Sequence, residues 1–427
     1  MAEFERRLWD ADPSGMSRND RKPCQYQVYV PDNLVSRIFS LEGAVSADVV
    51  DAESALVRFN TEASSLVNTE ALARILLRAE SVASSKIEGL VIGARRILRA
   101  EIENSISGST TDVTALEVLA NIQAMVYGIE QVEEGDSITQ ELILEIHRRL
   151  LAGTKLTGDE GKLRQEQNWI GGSDFNPGSA DYVPPPWELV EGLMKDLIVF
   201  CNSDDLPAVA QAAIAHAQFE TIHPFIDGNG RTGRILIQLI LRRRGLATRV
   251  TPPISLILAT WATDYVYGLT ATRYIGDYFS VEAAEGINTW VGRFAAACSR
   301  SVKDAMEFEE RAQQIENEWR SRLKNVRKGS STDLLLLKLV GAPVLTVKSA
   351  SVLTGTTLVA TNNAIARLVG AGILHQISIG ARNRAFEAPK IIDAFSDLER
   401  QLASPEGNTR KSRPIRQVPA RNRKNIQ

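Results

Sequence analysis

The chain is predicted to be mainly α-helical, with a helical bundle followed by a small C-terminal domain of three helices and a hairpin. Two observations carry this. Apolar residues recur every three or four positions over most of the length, and strand-like texture is confined to a Gly/Pro-rich stretch near 168–186 and to residues 375–388.

The first helices are plain in the spacing. In "TDVTALEVLANIQAMVYGIEQV", Leu116, Leu119, Ile122, Met125, Val126 and Ile129 mark one amphipathic face. "SITQELILEIHRRLLAG" opens with the capping-box-like pair Ser137 and Gln140, then carries Leu142, Ile143, Ile146 and Leu150. "WELVEGLMKDLIVF" repeats the pattern with Leu189, Leu193, Leu197 and Phe200. Between the last two, "NWI" and "DYV" flank Gly171, Gly172, Asn176, Pro177 and Gly178, which predicts a β-hairpin closed off by Pro184 to Pro186. A lone hairpin in a helical domain suits a flap over a site.

Residues 301–330 read as one long charged helix, a connector. Beyond it, "TDLLLLKLV", "TVKSASVLTG" and "TLVATNNAIARLVGAGIL" predict three short helices, and "HQISIGARNRAFEAP" two strands around a turn. That is the order of a winged helix-turn-helix. The tail from Ser404 holds seven Arg or Lys without core-forming periodicity and is predicted to be disordered. The domains expected are therefore 1–110, an N-terminal helical region; 111–300, the main functional core; 301–330, the connector; 331–403, the winged helix; and 404–427, the basic tail.

A net charge of −3, with 24% charged and 44% hydrophobic residues, describes an ordinary globular protein. Apolar runs such as "ILIQLILRR" are too short to cross a bilayer, and "MAEFERRLWDADPSG" lacks the apolar core of a secretory signal. Cys24, Cys201 and Cys298 offer neither a disulfide framework nor zinc spacing with the four histidines. The expectation is a cytoplasmic protein.

Residues 223–234, "HPFIDGNGRTGR", concentrate the chemistry. They lead into the apolar helix "ILIQLILRRRG", with Gly245 as its C′ residue, so the glycines sit on a helix N-terminus. Free amides and the helix dipole there make an anion site. Gly228 and Gly230 allow close approach of a phosphate, and Asn229 between them tolerates a left-handed backbone. Arg231 and Arg234 add forked donors for phosphate oxygens. Asp227 is placed to hold Mg²⁺ between two phosphates. His223 is a base at the mouth of the site, and Phe225 would turn the other way to anchor the loop. The lysine and following Ser/Thr of a Walker loop are missing, and no strand precedes the run as a dinucleotide fingerprint requires. The plain alternative, a helix-connecting turn with an incidental histidine and solvated arginines, fits each residue singly but not the set.

The run resembles, without a departure, the HxFx(D/E)GNGRxxR signature of the Fic family, and "AHAQFETIHPF" and "NWIGG…YVPPP" are similar to the family as well. Together they cover roughly residues 60 to 300. The resemblance implies a Fic-type helical bundle and transfer of AMP from ATP to a protein hydroxyl, with ATP and Mg²⁺ required. It implies that His223 deprotonates a Ser, Thr or Tyr acceptor and that Asp227 binds the metal. Gly228, Asn229, Gly230, Arg231, Thr232, Gly233 and Arg234 would line the nucleotide site, with Arg234 gripping the γ-phosphate. Tyr265 matches a nucleotide-pocket tyrosine, although a core tyrosine reads equally well. Trp169, Ile170, Gly171 and Gly172 resemble the flap that aligns the target segment by backbone pairing.

Upstream, "ALARILLRAESVASSKIEGL" traces a helical face and ends in S-x-x-x-E-G, Ser84, Glu88 and Gly89. An ordinary amphipathic helix with a solvated glutamate reads this way too. Beside a Fic motif it resembles the inhibitory helix (about 71–89), whose glutamate, here Glu88 buried beside Arg234, blocks the γ-phosphate's seat. Of the other histidines, His216 reads as a packed core residue, His147 as belonging to an unrelated helix, and His375 as the start of the C-terminal hairpin.

In the winged helix, Thr357 to Leu368 would be the recognition helix. Thr361, Asn362, Asn363 and Arg367, with Arg382 and Arg384 on the wing, would face DNA, while a protein-binding or dimerisation module is the alternative. Two functions follow: a self-inhibited protein adenylyltransferase whose winged helix recruits the target, or a DNA-binding regulator using the core as nucleotide sensor. Removal of AMP by the same site, and a homodimer, stay open.

Overall fold

The structure is a computed structural model and describes residues 1–427 except 12–14, 36, 65–68, 109, 155–157, 380–382 and 402–427. The predicted tail and Arg382 lie outside the described residues. The fold is mainly helical, in two compact units: Met1–Glu53, Tyr127–Gly245 and Thr263–Ala296 form the first, and Ser54–Val126, Leu246–Ala262 and Ala297–Gln427 the second.

The first unit opens with strands β1 (Glu3–Trp9) and β2 (Cys24–Val30), paired antiparallel from Glu3–Val30 to Trp9–Cys24. The sequence reading expected only helices here. Helix α1 (Gly43–Ser64) crosses the boundary at residue 53. The second unit then holds α2 (Thr69–Ile87), α3 (Ala94–Ser107) and most of α4 (Val113–Glu130). Back in the first unit lie α5 (Gln140–Leu151), α6 (Trp187–Cys201), α7 (Ala208–Ile222) and α8 (Asn229–Arg243). The cap of α5 is Thr139, whose side chain accepts from the Leu142 amide, rather than Ser137. Gly245 follows α8 at φ +76, as its place after the last apolar turn requires.

Helix α9 (Ile254–Thr260) belongs to the second unit, and α10 (Ala262–Ala271) falls almost wholly in the first. Helix α11 (Val281–Leu323) starts far ahead of the predicted connector, because Gly286 and Gly292 are absorbed without a break, and it stops where Lys324 and Asn325 turn left-handed. The C-terminal part runs α12 (Ser331–Leu339), β3 (Val344–Leu345), α13 (Val347–Thr354), α14 (Leu358–Gly370), β4 (His375–Ile379), β5 (Asn383–Glu387) and α15 (Pro389–Gln401). Its three strands order β3-β5-β4. Thr357 caps α14 by accepting from the Ala360 amide.

Core packing follows the apolar stripes. In the second unit Asn60, buried, donates to Leu246 O at 2.9 Å and accepts from the Arg249 and Val250 amides. Glu80, 1% exposed, accepts from Ser255 N and Oγ at 2.7 and 2.6 Å, so a buried carboxylate is satisfied by a helix start. In the first unit Trp290, fully buried, donates its indole N–H to Ala213 O at 2.7 Å.

Candidate functional site

The site is made where α7 ends and α8 begins. All fifteen residues of α7, "AVAQAAIAHAQFETI", are buried. A helix this rich in apolar residues belongs in the interior, and the small alanines let neighbours approach closely. Helix α8 packs against it through Gly233, where a Cβ would lie 2.7 Å from Glu220 Oε1 and 2.9 Å from Phe219 Cδ1.

His223 caps α7 in the left-handed region, φ 49 and ψ 61, with its amide bonded to Phe219 O at 2.9 Å. A non-glycine residue there costs about 1–2 kcal/mol and persists where surroundings over-determine it. Its Nδ1 lies 4.0 Å from Glu220 Oε2. Phe225 is fully buried and stacks on the His147 ring, centroids 3.7 Å apart and nearly parallel, so it anchors the loop as its place in the motif required. Asn229, 2% exposed, clamps the turn: Oδ1 accepts from Phe225 N and Nδ2 donates to Phe225 O, both at 2.8 Å. One lone pair and one N–H of that amide remain for a ligand.

Gly228 starts α8 at φ 76, and its amide bonds Asp227 Oδ1 at 2.6 Å. The first helical bond comes from Thr232 N to Gly228 O, so the amides of 229 to 231 precede the ladder at the positive end of the dipole. Arg231 is 4% exposed, and its Nε and Nη1 have no hydrogen-bond partner among the described residues; Nη2 is 3.8 Å from Asp227 Oδ2. Thr232 Oγ1 is buried in the same condition. Unpaired buried donors cost about 1–3 kcal/mol each, so this end of the helix is built for an anion.

Arg234 is 1% exposed, with Nη1 3.4 Å from the Tyr265 hydroxyl. That hydroxyl lies 2.7 Å from His216 Nε2. Burial, with the Arg234 charge beside it, pushes His216 down to about 3, so it is neutral. His216 is thus a packed core residue, and Tyr265, 6% exposed, is a core tyrosine whose hydroxyl also reaches Arg234.

Asp227 is half exposed and is the carboxylate of the turn. No group of three or more His, Cys, Asp or Glu able to cage a metal exists among the described residues. One carboxylate beside unpaired buried arginine donors fits Mg²⁺ arriving with phosphate oxygens and water.

The expected flap is reduced to a single bridge, Ile170 with Tyr182, rather than two strands, because Gly171 and Gly172 both turn left-handed. Trp169 is held by its indole N–H to Ser173 O at 2.7 Å and meets the Trp9 ring edge-on at 5.2 Å. In the second unit α2 ends at Ile87. Ser84 is fully buried and Gly89 takes φ +82. Glu88, in the turn between, is exposed, where the sequence reading expected a buried carboxylate. The helix has already stopped there, and its last turn is fixed instead by Asn121, donating to Ser81 O and Ser85 Oγ at 2.8 and 2.9 Å.

Sequence reasoning missed three residues at the site. His147 was assigned to an unrelated helix, yet its Nδ1 accepts from Gly161 N at 2.9 Å, which makes Nε2 the donor to Asp227 O at 3.0 Å. Burial lowers it to about 4. Arg164 and Asn168 bind the carbonyls of His223 and Phe225 at 2.9 and 2.8 Å. Their contacts are to main chain 59 and 57 residues away, which no side-chain pattern announces.

Comparison with known proteins agrees with this geometry. Residues 137–241 match the Fic/DOC family and residues 46–130 the Fic/DOC family N-terminal region. The chain is 32% identical over 167 residues to protein adenylyltransferase fic-1 of Caenorhabditis elegans, covering 38% of this chain and 30% of that protein. It is 34% identical over 193 residues to protein adenylyltransferase Fic of Nematostella vectensis, covering 44% and 39%. The chain thus spans about a third of the length of these relatives. A Fic family protein from Desulfovibrio desulfuricans G20 shares its fold, with TM-score 0.51 and 19% identity over 82% of this chain and 97% of that one. With an unbroken motif at the turn between α7 and α8, and both family regions in order along the sequence, the chain carries a Fic/DOC family domain at 137–241 behind the family's N-terminal region at 46–130.

Proposed function

We propose that the chain is a protein adenylyltransferase that moves AMP from ATP to a Ser, Thr or Tyr hydroxyl of a target protein. The observation that carries the reading is the buried Arg231, with Nε and Nη1 unpartnered, at a glycine-lined helix N-terminus beside His223. Nucleotidyl transfer needs little beyond such positioning and charge stabilisation. His223 takes the acceptor's proton, the acceptor oxygen bonds to the α-phosphorus, and the bond to pyrophosphate breaks. Amides 229 and 230 and the Asn229 side chain receive the α- and β-phosphates, with Gly228, Thr232 and Gly233 shaping the seat, and Arg231 offsets the charge growing on the leaving group. Arg234 takes the γ-phosphate. Asp227 would hold Mg²⁺, which when bound neutralises charge between the phosphates. Purified protein given [α-³²P]ATP and Mg²⁺ should acquire protein-bound label, on itself or on an added target. Label from [γ-³²P]ATP alone would instead make the site a kinase and sink the reading.

The arrangement by domain is part of the same proposal: an N-terminal region 1–110, a catalytic core 111–300, a connector, and a winged helix at 331–403. Within the last, the residues offered for DNA are largely spent. Thr361 is buried and bonded to Thr356 and Thr357. Arg367 donates to Leu323 O and Lys324 O, and Arg384 to Asn362. The outer face of α14 instead presents Leu358 and Val359, 56% and 73% exposed. This favours recruitment of a protein over reading of DNA. Titrating a pool of genomic fragments at low salt should give no retardation beyond weak salt-sensitive binding; a specific shifted fragment would reverse the assignment.

Regulation by Glu88, as a carboxylate competing with the γ-phosphate for Arg234, completes the proposal. It is supported by the S-x-x-x-E-G sequence at the end of α2 and by the firm anchoring of that turn.

A further inference from the structure

The main chain of the catalytic turn is gripped from its carbonyl side by one segment, residues 164–168, through its buried Arg164. Arg164 N donates to Pro224 O at 2.9 Å. Its Nε donates to His223 O at 2.9 Å, and its Nη2 to Ile222 O at 3.4 Å and to Pro185 O at 2.5 Å. Nη1 closes the segment on itself at Glu166 O, 3.0 Å. Asn168 adds the bond to Phe225 O. Arg164 is 3% exposed, and its guanidinium donates only to main-chain carbonyls in these bonds. Burial lowers its pKa to about 10, which still leaves it charged at neutral pH.

A buried cation is retained only where good partners repay its desolvation. Here the partners are the last carbonyls of α7, which lack helical donors of their own. Fixing them fixes the residue between them, His223, in a left-handed conformation that it would otherwise leave at a gain of about 1–2 kcal/mol. We propose that Arg164 is a positioning residue: its fork holds the His223 main chain in the turn that aims the imidazole. The same segment continues into Trp169–Gly172, so base and flap hang from one frame. The proposal deepens the reading of His223 as the base and rests on it for its kinetic arm.

Misplacing a reacting group by an ångström costs on the order of 10²-fold. Arg164→Ala should therefore lower kcat for AMP transfer about 10- to 100-fold and leave KM for ATP within about threefold. Arg164→Lys, which keeps charge but loses the fork, should fall between. Independently of activity, ring NMR signals of His223, one of four histidines and identifiable with His223→Asn, should shift in Arg164→Ala and less in Arg164→Lys. Should the alanine variant not fold, the lysine variant carries the same comparison at smaller amplitude. Unmoved ring signals with wild-type kcat overturn the proposal, as does a KM rise at constant kcat. If the wild type transfers no AMP but the ring signals move, the base reading fails and the positioning role stands.

Discussion

His223→Ala will lower AMP transfer by about 10²–10⁴-fold, the range a positioned general base supplies, while ATP affinity stays within a few-fold of wild type. The division follows from what each part of the turn touches. Nucleotide affinity is assigned to the α8 amides, Arg231 and Arg234, whose places are set by Asn229, Gly228 and the α7 packing. The main-chain grip on the turn uses the His223 carbonyl and amide. The variant keeps the main-chain grip and loses the proton acceptor. Initial rates of label incorporation, set beside ATP binding by calorimetry, read both quantities. A variant that loses nucleotide affinity as steeply as rate would identify His223 as a structural residue of the turn.

Glu88→Gly is expected to raise transfer roughly tenfold to a hundredfold. A carboxylate that competes with the γ-phosphate for Arg234 forms a charge-assisted pair worth roughly 1.5–3 kcal/mol, which converts to that range in productive occupancy. The wild type should then bind ATP yet label slowly, and Glu88→Gly/Arg234→Ala should fall back, since the seat itself is gone. The exposed position of Glu88 beyond α2 sharpens the test. An exposed ion pair contributes little, about 0–1 kcal/mol, so an effect under threefold would mean that Glu88 does not compete with the γ-phosphate and α2 is scaffold. Loss of AMP-protein hydrolysis in the same variant would assign Glu88 to the reverse reaction.

Much of the molecule was legible in its sequence for a simple reason. Helices α4 to α8 carry long apolar stripes, and the 223–234 run contains its own turn, its own glycines and its own charges. What escaped depended on distant partners. The β1–β2 pair is joined across residues 10–23, and neither half announced the other. Helix α11 begins at Val281, well before the charged run at 301–330 that marked it in the sequence. Arg164 and His147 act on main-chain carbonyls, and a carbonyl has no sequence identity to match. Glu88 was expected to be buried on the strength of a pattern, and a pattern does not fix the side chain beyond a helix stop.

The second unit bears on how such chains are assembled over generations. Arg78, on α2, donates to Gly341 O at 2.6 Å and pairs with Glu101 of α3. A Cβ at Gly341 would meet Ala71 at 2.7 Å, and Glu387 of β5 takes Arg99 of α3 at 2.9 Å. The C-terminal part is therefore not a bead on a string. A recombination event that cut the gene after α11 would strip a face of α2 and α3 of its cover, leaving Ala71 and Arg78 to water. A replacement for this part would have to bring its own match for α2 and α3, so the two ends of the second unit are tied by packing.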